Sequence, residues 1–439
     1  MKVSFIPLGC AKNLVNMEQM MAQCRDAGME LQQHQSGADV VVINTCGFID
    51  SAKSEAIDTI LQVAELKDAG EVGKILVTGC LSQRYKDEIL TELPEVDGIL
   101  GTGSYSRIVE AVNAVAAGEK PCYFDSIHAP VEELPRVITT PKHYAFLRIA
   151  EGCDNHCAYC IIPALRGKYR SRKLEDVIAE AQLLADSGVQ EIIVIAQDIT
   201  RYGIDLYGER KLSQLLRELC KMSFHWVRLH YLYLDEFTEE LIDTIAQEEK
   251  IVKYLDIPIQ HCNDRVLKAM NRRGDKAELM ALFTTLRERI PGLVLRTSLI
   301  TGLPYEDEDA FDELCQFLAE VGIERAGVFP YSPEEGTAAA RMPERVDTAE
   351  AERRAELVVD VQSRVMDEFN DSRMGDLVEV LCEGFDGQSM SYVGRSYAES
   401  PDIDGRIYFT AEEDVEVGRF VFVRITDVMD GELTGVMEE

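Results

Sequence analysis

Three thiols lie at Cys153, Cys157 and Cys160, inside the run Glu151-Gly-Cys-Asp-Asn-His-Cys-Ala-Tyr-Cys160. A Cys-x3-Cys-x2-Cys loop can ligate three corners of a four-iron, four-sulfur cluster and leave the fourth iron open to a substrate or cofactor. A fully ligated electron carrier offers no such position. The competing assignments are a structural zinc knuckle and three unrelated thiols. Zinc asks for a fourth Cys or His at short spacing, and His156, inside the loop itself, is poorly placed to be one. A second set is spread through the first eighty residues. Cys10, Cys46 and Cys80 each follow a short apolar stretch, as Leu8-Gly-Cys10, Thr45-Cys46-Gly47 and Gly79-Cys80. If those stretches are parallel strands of one sheet, their carboxyl ends share an edge, the edge at which such sheets bind ligands. Glycines beside the thiols let backbone come close to a bulky group.

Both sets need a scaffold, and the pattern of the chain supplies an α/β one. Residues 1–135 alternate strand-like stretches at 3–8, 40–44, 74–78 and 98–100 with helix-like ones at 14–25, 54–66 and 107–116, which predicts a parallel α/β domain. Residues 125–142, with Pro130, Pro135 and Pro141, read as a linker or strap. In the second unit, 136–372, strand and helix repeat six times from Tyr144 onward. The strands are expected at 145–150, 191–196, 226–231, 254–259, 294–300 and 325–329. Leu174, Val177, Ile178, Ala181, Leu184 and Ala185 share one helical face. Six parallel units suit a partial (β/α)6 barrel, whose chemistry sits on loops at the carboxyl ends of strands. The Cys153 loop directly follows the first of them. Residues 344–372 form a charged helix with Ala355, Val358, Val359, Gln362 and Val365 as its apolar stripe. The third unit, 373–439, shows short alternating strands at 377–382, 390–394, 406–409, 419–426 and 432–436, the pattern of a small β-barrel.

Bulk properties narrow the class further. The chain has 439 residues, enough for two or three domains, and its 46% apolar and 28% charged content is that of an ordinary globular protein. No stretch suits a bilayer and the N-terminus lacks a signal-peptide pattern, so no membrane association and a cytoplasmic location are expected. Twelve cysteines in a chain this long point to ligands and buried small hydrophobes rather than a disulfide scaffold; Cys24, Cys220, Cys315 and Cys382 fall in apolar patterns and belong to the core. A net charge of −33 repels nucleic-acid backbones and favours a basic partner, or else serves solubility.

Taken along its whole length the chain resembles the radical S-adenosylmethionine (SAM) methylthiotransferase family. Tyr159 before the third cysteine matches the radical SAM superfamily. Other matching runs are Leu8-Gly-Cys-Ala-Lys-Asn13, Asn44-Thr-Cys-Gly-Phe48, Ile161-Ile-Pro-Ala-Leu-Arg-Gly167 and Phe329-Pro-Tyr-Ser-Pro-Glu-Glu-Gly-Thr337. The resemblance implies an N-terminal cluster domain, a radical SAM barrel and a C-terminal TRAM-like module. It implies two 4Fe–4S clusters, one on Cys153, Cys157 and Cys160 that binds and cleaves SAM, the other on Cys10, Cys46 and Cys80 that carries the sulfur to be transferred. It also implies an external electron donor and a sulfur source. Two branches of the family modify either an aspartate, at its β-carbon, on the small-subunit ribosomal protein S-twelve, or an adenosine in transfer RNA. The opening run Gly9-Cys-Ala-Lys-Asn-Leu-Val-Asn16 and the run Arg395-Ser-Tyr-Ala-Glu-Ser-Pro-Asp-Ile-Asp-Gly405 resemble the ribosomal-protein branch, although Ala11 and Met17 depart from its usual Pro and Ser. Residues 373–439 carry five arginines, no lysine and sixteen acidic residues. That balance suits a basic ribosomal protein and makes direct nucleic-acid binding unexpected. The transfer-RNA branch and, from another class, a non-catalytic iron–sulfur carrier are the alternatives; simple carriers usually use four thiolates.

SAM needs further contacts for its amino group, ribose and adenine. Tyr159, Gln197, Asp198 and Gln260 are the candidates, with Ser298 and Gly302 also at expected strand ends, although polar residues there can serve only to brace loops. Arg166 and Lys168 could bind a carboxylate of SAM or substrate, cap a helix, or pair with surface acids. His230 and His261 read as hydrogen-bonded core histidines, and Met17, Met20 and Met21 as helix core.

Overall fold

The computed structural model describes residues 1–429 and 431–438. Its first sheet is built from β1 (Lys2–Pro7), β2 (Glu30–Gln32), β3 (Val40–Thr45), β4 (Lys74–Gly79), β5 (Gly98–Leu100) and β6 (Cys122–Tyr123), in the order β2-β1-β3-β4-β5-β6. Every pairing is parallel. The run Val-Val-Val-Ile-Asn-Thr of β3 is buried throughout, as a central strand covered on both faces must be. Helices Ala11–Asp26 and Ile108–Ala116 cover one face, packing Met17, Met20, Cys24, Ile108 and Val112 against Val3 and Val40. Helix Asp50–Asp68 covers the other with Ala56, Ile60 and Val63. Leaving β1, the chain pairs β2 on one side and then returns to place β3 on the other. The order therefore reverses between β1 and β3, and open α/β sheets bind ligands beyond the carboxyl ends at such a reversal. The two edge strands β2 and β6 were not expected from the sequence.

The second sheet begins with β7 (Tyr144–Arg148), after which a short antiparallel pair, β8 (Ala150–Glu151) and β9 (Arg170–Ser171), brackets the cysteine loop. It continues through β10 (Glu191–Ile195), β11 (Trp226–Leu229), β12 (Ile251–Asp256), β13 (Val294–Thr301) and β14 (Arg325–Pro330). The order is β14-β13-β12-β11-β10-β7, all parallel, a six-stranded open barrel wall. β12 lies three residues earlier than the expected 254–259. Pro258 has no N–H to give a ladder, and beyond it only the bridge Gln260 to Leu299 persists. Helix Thr348–Ser372 packs along β14, burying Ala355, Val358 and Gln362. Val359 is not in that stripe; it is 47% exposed, because one residue's step of about 100° carries it past the contact.

The last unit is a closed barrel of β15 (Leu377–Asp386), β16 (Ser391–Arg395), β17 (Ile407–Thr410), β18 (Phe420–Met429) and β19 (Glu432–Glu438), ordered β15-β16-β17-β19-β18. It is antiparallel except where β17 meets β19. Residues 395–405, between β16 and β17, plug the amino-terminal mouth of the six-stranded sheet. Buried Glu191 accepts from Arg228 at 2.6 Å and also pairs with Arg395, which reaches Glu383 at 2.7 Å. Glu399 holds Arg325 at 3.0 Å and Arg373 at 2.5 Å. Tyr144 donates to Asp402, Tyr254 to Asp404, and His230 pairs with Ser400 at 3.0 Å. Trp226 meets Phe420 edge-on with ring centres 4.8 Å apart. Between β6 and β7, Arg136 pairs with Glu18 of the first helix at 3.0 Å and with Glu180 of helix Leu174–Asp186 at 2.6 Å.

Candidate functional site

The reversal between β1 and β3 places Cys10 and Cys46 beside each other, with Cys80 at the end of the adjoining β4. Cys10 caps helix Ala11–Asp26, and Cys80 opens the short helix Cys80–Tyr85. Glycines make the approach possible. A Cβ on Gly9 would stand 2.7 Å from Cys46 Cβ, one on Gly47 2.8 Å from the Leu81 backbone, and one on Gly79 2.3 Å from the Thr45 carbonyl oxygen. The three thiols stand near enough to shift one another's ionisation. Burial, Cys80 and Cys10 push Cys46 up to about 11. For Cys10, Lys12 and Arg166 outweigh the desolvation that would raise it, and its net shift is downward.

The second set lies beyond the carboxyl end of β7. Gly152, at φ +80°, turns the chain into the loop where any Cβ would collide with the Lys168 carbonyl oxygen at 2.2 Å. Cys153 N–H then donates to the Gly167 carbonyl, Ala158 N–H to Met270 and Cys160 N–H to Cys157. Burial pushes Cys153 up to about 11 and Cys160 up to about 12. His156 is exposed, turned outward at φ +50°. Among the described residues no three His, Cys, Asp or Glu side chains close on the centre of one ion. A four-iron cluster spreads its thiolates over separate irons, and both three-thiol sets, with their glycine-cleared approaches, fit such a group.

A buried polar chain joins the two sets. Arg166, aimed inward by the turn at Gly167 (φ +75°), donates to Asn16 Oδ1 at 2.7 Å, Asn13 Oδ1 at 2.8 Å, Glu151 Oε2 at 3.4 Å and Cys80 Sγ at 3.4 Å. It neither caps a helix nor meets surface acids, whereas Lys168 is exposed. Glu151 also accepts from Arg148 at 2.8 Å and from Gln197 Nε2 at 2.9 Å. Burial would raise the Glu151 carboxyl, but Arg166 and Arg148 hold it down at about 2.

Of the residues expected at SAM, Gln197 braces Glu151 and keeps a buried Oε1 with no hydrogen-bond partner among the described residues. Asp198, fully buried, accepts from Asn155 Nδ2 and from Thr200, tying the cysteine loop to the end of β10. Gln260 bridges to β13 in a left-handed conformation, φ +70°. Tyr159 packs on the cluster of Val266, Met270, Leu303 and Tyr331. Ser298 gives its carbonyl to Gln260 N–H, and Gly302 N–H binds Glu306, so both brace loops. His230 and His261 are core, as expected; burial pushes His230 down to about 3.

Sequence reasoning passed over four side chains here. Glu151 joins the sets; Lys12 Nζ lies 3.4 Å over the Tyr231 ring; Arg272 lies over Tyr233 and 3.8 Å from Cys157 Sγ. The signal available was proximity in sequence: Lys12 and Glu151 each stand two residues from a cysteine. Tyr231 and Arg272 carried none.

Comparison with known proteins agrees with this anatomy. Residues 2–101 match the uncharacterized protein family UPF0004, 147–318 the Radical SAM superfamily and 374–437 the TRAM domain. A protein of Lachnoclostridium phytofermentans named ribosomal protein uS12 methylthiotransferase RimO is 45% identical over 440 residues, covering 100% of both chains. One of the same name from Clostridioides difficile is 45% identical over 437 residues, 99% of this chain and 98% of that one. Among solved structures, the radical S-adenosylmethionine methyltransferase TsrM of Kitasatospora setae, with cobalamin and a 4Fe–4S cluster bound, superposes with a TM-score of 0.58 at 13% identity, covering 77% of this chain and 76% of that one. The cobalamin-dependent enzyme OxsB gives 0.51 at 11% identity, covering 84% and 56%. At these identities the structural likeness is one of fold.

Proposed function

This chain belongs to the RimO family of radical SAM methylthiotransferases, and from that premise we propose that it adds a methylthio group to the β-carbon of an aspartate on ribosomal protein uS12. The observation that carries the reading is the pair of three-thiol sets, with Arg166 bonded to both Cys80 and Glu151 between them, in a chain similar to RimO proteins over its full length. Cys153, Cys157 and Cys160 would hold the cluster that binds SAM; Cys10, Cys46 and Cys80 would hold the other. Bound there, the clusters and SAM supply one-electron bond cleavage and the sulfur, chemistry beyond any side-chain acid or base.

The protein's own part is placement. Gly9, Gly47, Gly79 and Gly152 clear the approaches, and the strand ends fix where each thiol stands. Arg166 balances thiolate charge at Cys80 while Glu151 holds the guanidinium in place. Gln197, with its free Oε1, Asp198, Gln260 and Tyr159 line the ends of β10, the stretch after β12 and the loop itself, where SAM would lie. The TRAM-like barrel supports uS12 over transfer RNA. Of its five arginines, Arg373 and Arg395 are buried in pairs with Glu399, Glu191 and Glu383, and Arg419 and Arg424 pair with Glu413 and Glu438. Its exposed charge is thus overwhelmingly acidic, and uS12 is the basic kind of partner such a surface attracts. An electron donor and a sulfur source complete the reaction from outside.

The test offers both substrates together. The protein is reconstituted with iron and sulfide without oxygen, then given SAM, a reductant, uS12 and unmodified transfer RNA. Mass spectrometry should find a methylthio group on an aspartate of uS12. Modification of the transfer RNA alone would overturn the substrate assignment.

A further inference from the structure

A substrate aspartate that reaches the thiol sets brings a charge with it. Its carboxyl group ionises near pH 4, and a carboxylate taken out of water is tolerated only where a cation meets it. Three buried cations stand beside the thiols, and two are engaged. Arg166 is shared among Asn13, Asn16, Glu151 and Cys80. Arg272 donates to the Pro258 carbonyl and Cys157 Sγ. Lys12 is different. Only 8% of it is exposed, and its ammonium, 3.4 Å from the centroid of the Tyr231 ring, interacts with the Tyr231 side chain and the Cys10 thiol, while among the described residues it forms no ion pair with a carboxylate. A cation over a tyrosine face is only partly compensated, and among the described residues no carboxylate completes the compensation.

Tyr231 is held there against its own preference. Its φ of +65° is a left-handed backbone that only surrounding structure sustains in a bulky residue. The Asp256 carboxylate takes its N–H at 3.2 Å. Two residues from Lys12, Cys10 is exposed. A buried ammonium without a carboxylate partner, fixed over a strained aromatic residue beside Cys10, can donate hydrogen bonds to an anion.

We propose that Lys12 receives the side-chain carboxylate of the substrate aspartate and so makes the enzyme select an acid over its amide. The inference rests on the uS12 reading above. A lysine is a compact charge with three rotatable donors, suited to a carboxylate that must present its neighbouring β-carbon rather than be clamped edge-on.

The experiment measures binding and modification of uS12 carrying either the natural aspartate or asparagine at the target position. It uses the reconstituted full chain, its Lys12→Met variant and its Lys12→Arg variant. Wild type should bind the aspartate form roughly tenfold to a hundredfold more tightly than the asparagine form. Lys12→Met should bring that ratio close to one, and Lys12→Arg should restore part of it. If Lys12 only balances the charge of the Cys10 set, Lys12→Met weakens both forms equally or changes the cluster's electron paramagnetic resonance signal with the ratio intact, and the proposal falls. Failure of wild type to modify the aspartate form would instead remove the uS12 reading, and this inference with it.

Discussion

Around Arg166 four acceptors share one guanidinium, and two of them come from the first helix of a different unit. Removing such a cation leaves Glu151 with Arg148 as its one remaining arginine partner and takes the positive charge from beside Cys80. Breaking a buried pair of this kind costs about 3–5 kcal/mol. Arg166→Met should therefore lower the unfolding midpoint of the cluster-free protein. It should also leave the reconstituted chain with about four irons in place of about eight, because Cys80 loses the cation bonded to its sulfur while the Cys153 set keeps its own loop hydrogen bonds. An iron assay beside a thermal melt reads both; full iron loading would show that the arginine is structural alone.

The element that most shapes the molecule is the loop 395–405, and its carboxylates make it acid-sensitive. Glu191 and Glu399 are both held down at about 2 against an ordinary 4.5: burial would raise them, and the arginine pairs Arg395 with Arg228, and Arg373 with Arg325, outweigh it. Their contribution is whole above pH 4.5 and fades as pH falls toward 2, on the order of 3 kcal/mol for each. Below pH 4.5, hydrogen exchange at 395–405 should rise before exchange in the centre of the six-stranded sheet; simultaneous rise would assign the acid sensitivity elsewhere. How far these elements could be read from sequence depends on what each must bury. All six strands of the barrel wall and all five of the C-terminal barrel announce themselves through apolar runs. Strands β2 and β6, three and two residues long at the sheet's edges, have almost nothing to bury and so leave no pattern. Cys153, Cys157 and Cys160 stand out in the sequence by their spacing, and Cys10, Cys46 and Cys80 by the apolar stretch that each follows. The roles of Lys12, Tyr231 and Arg395 were not, since each depends on a partner more than thirty residues away.

At the scale of the whole molecule, the net charge of −33 sets the long-range encounter. Association with a basic protein should be fast at low salt and slow steeply once ionic strength exceeds roughly 0.15 M, where the screening length is about 8 Å. Stopped-flow rates across a salt series test this, and a flat series would mean that the acidic surface takes no part in docking. The described residues include no helix long and apolar enough to cross a membrane. The three units are instead tied to each other, by Arg136 at the strap, by Arg84 and Lys53 reaching Glu334 from the first unit, and by the plug beneath the barrel. On the last of these seams sits Trp226, the single tryptophan of the chain, set against Phe420. An indole with no rival elsewhere makes its ultraviolet emission a private gauge of one junction. Loosening of the C-terminal barrel by acid or substitution, or upon arrival of a ribosomal protein that itself lacks tryptophan, would show as a change in that one light signal, without a label attached.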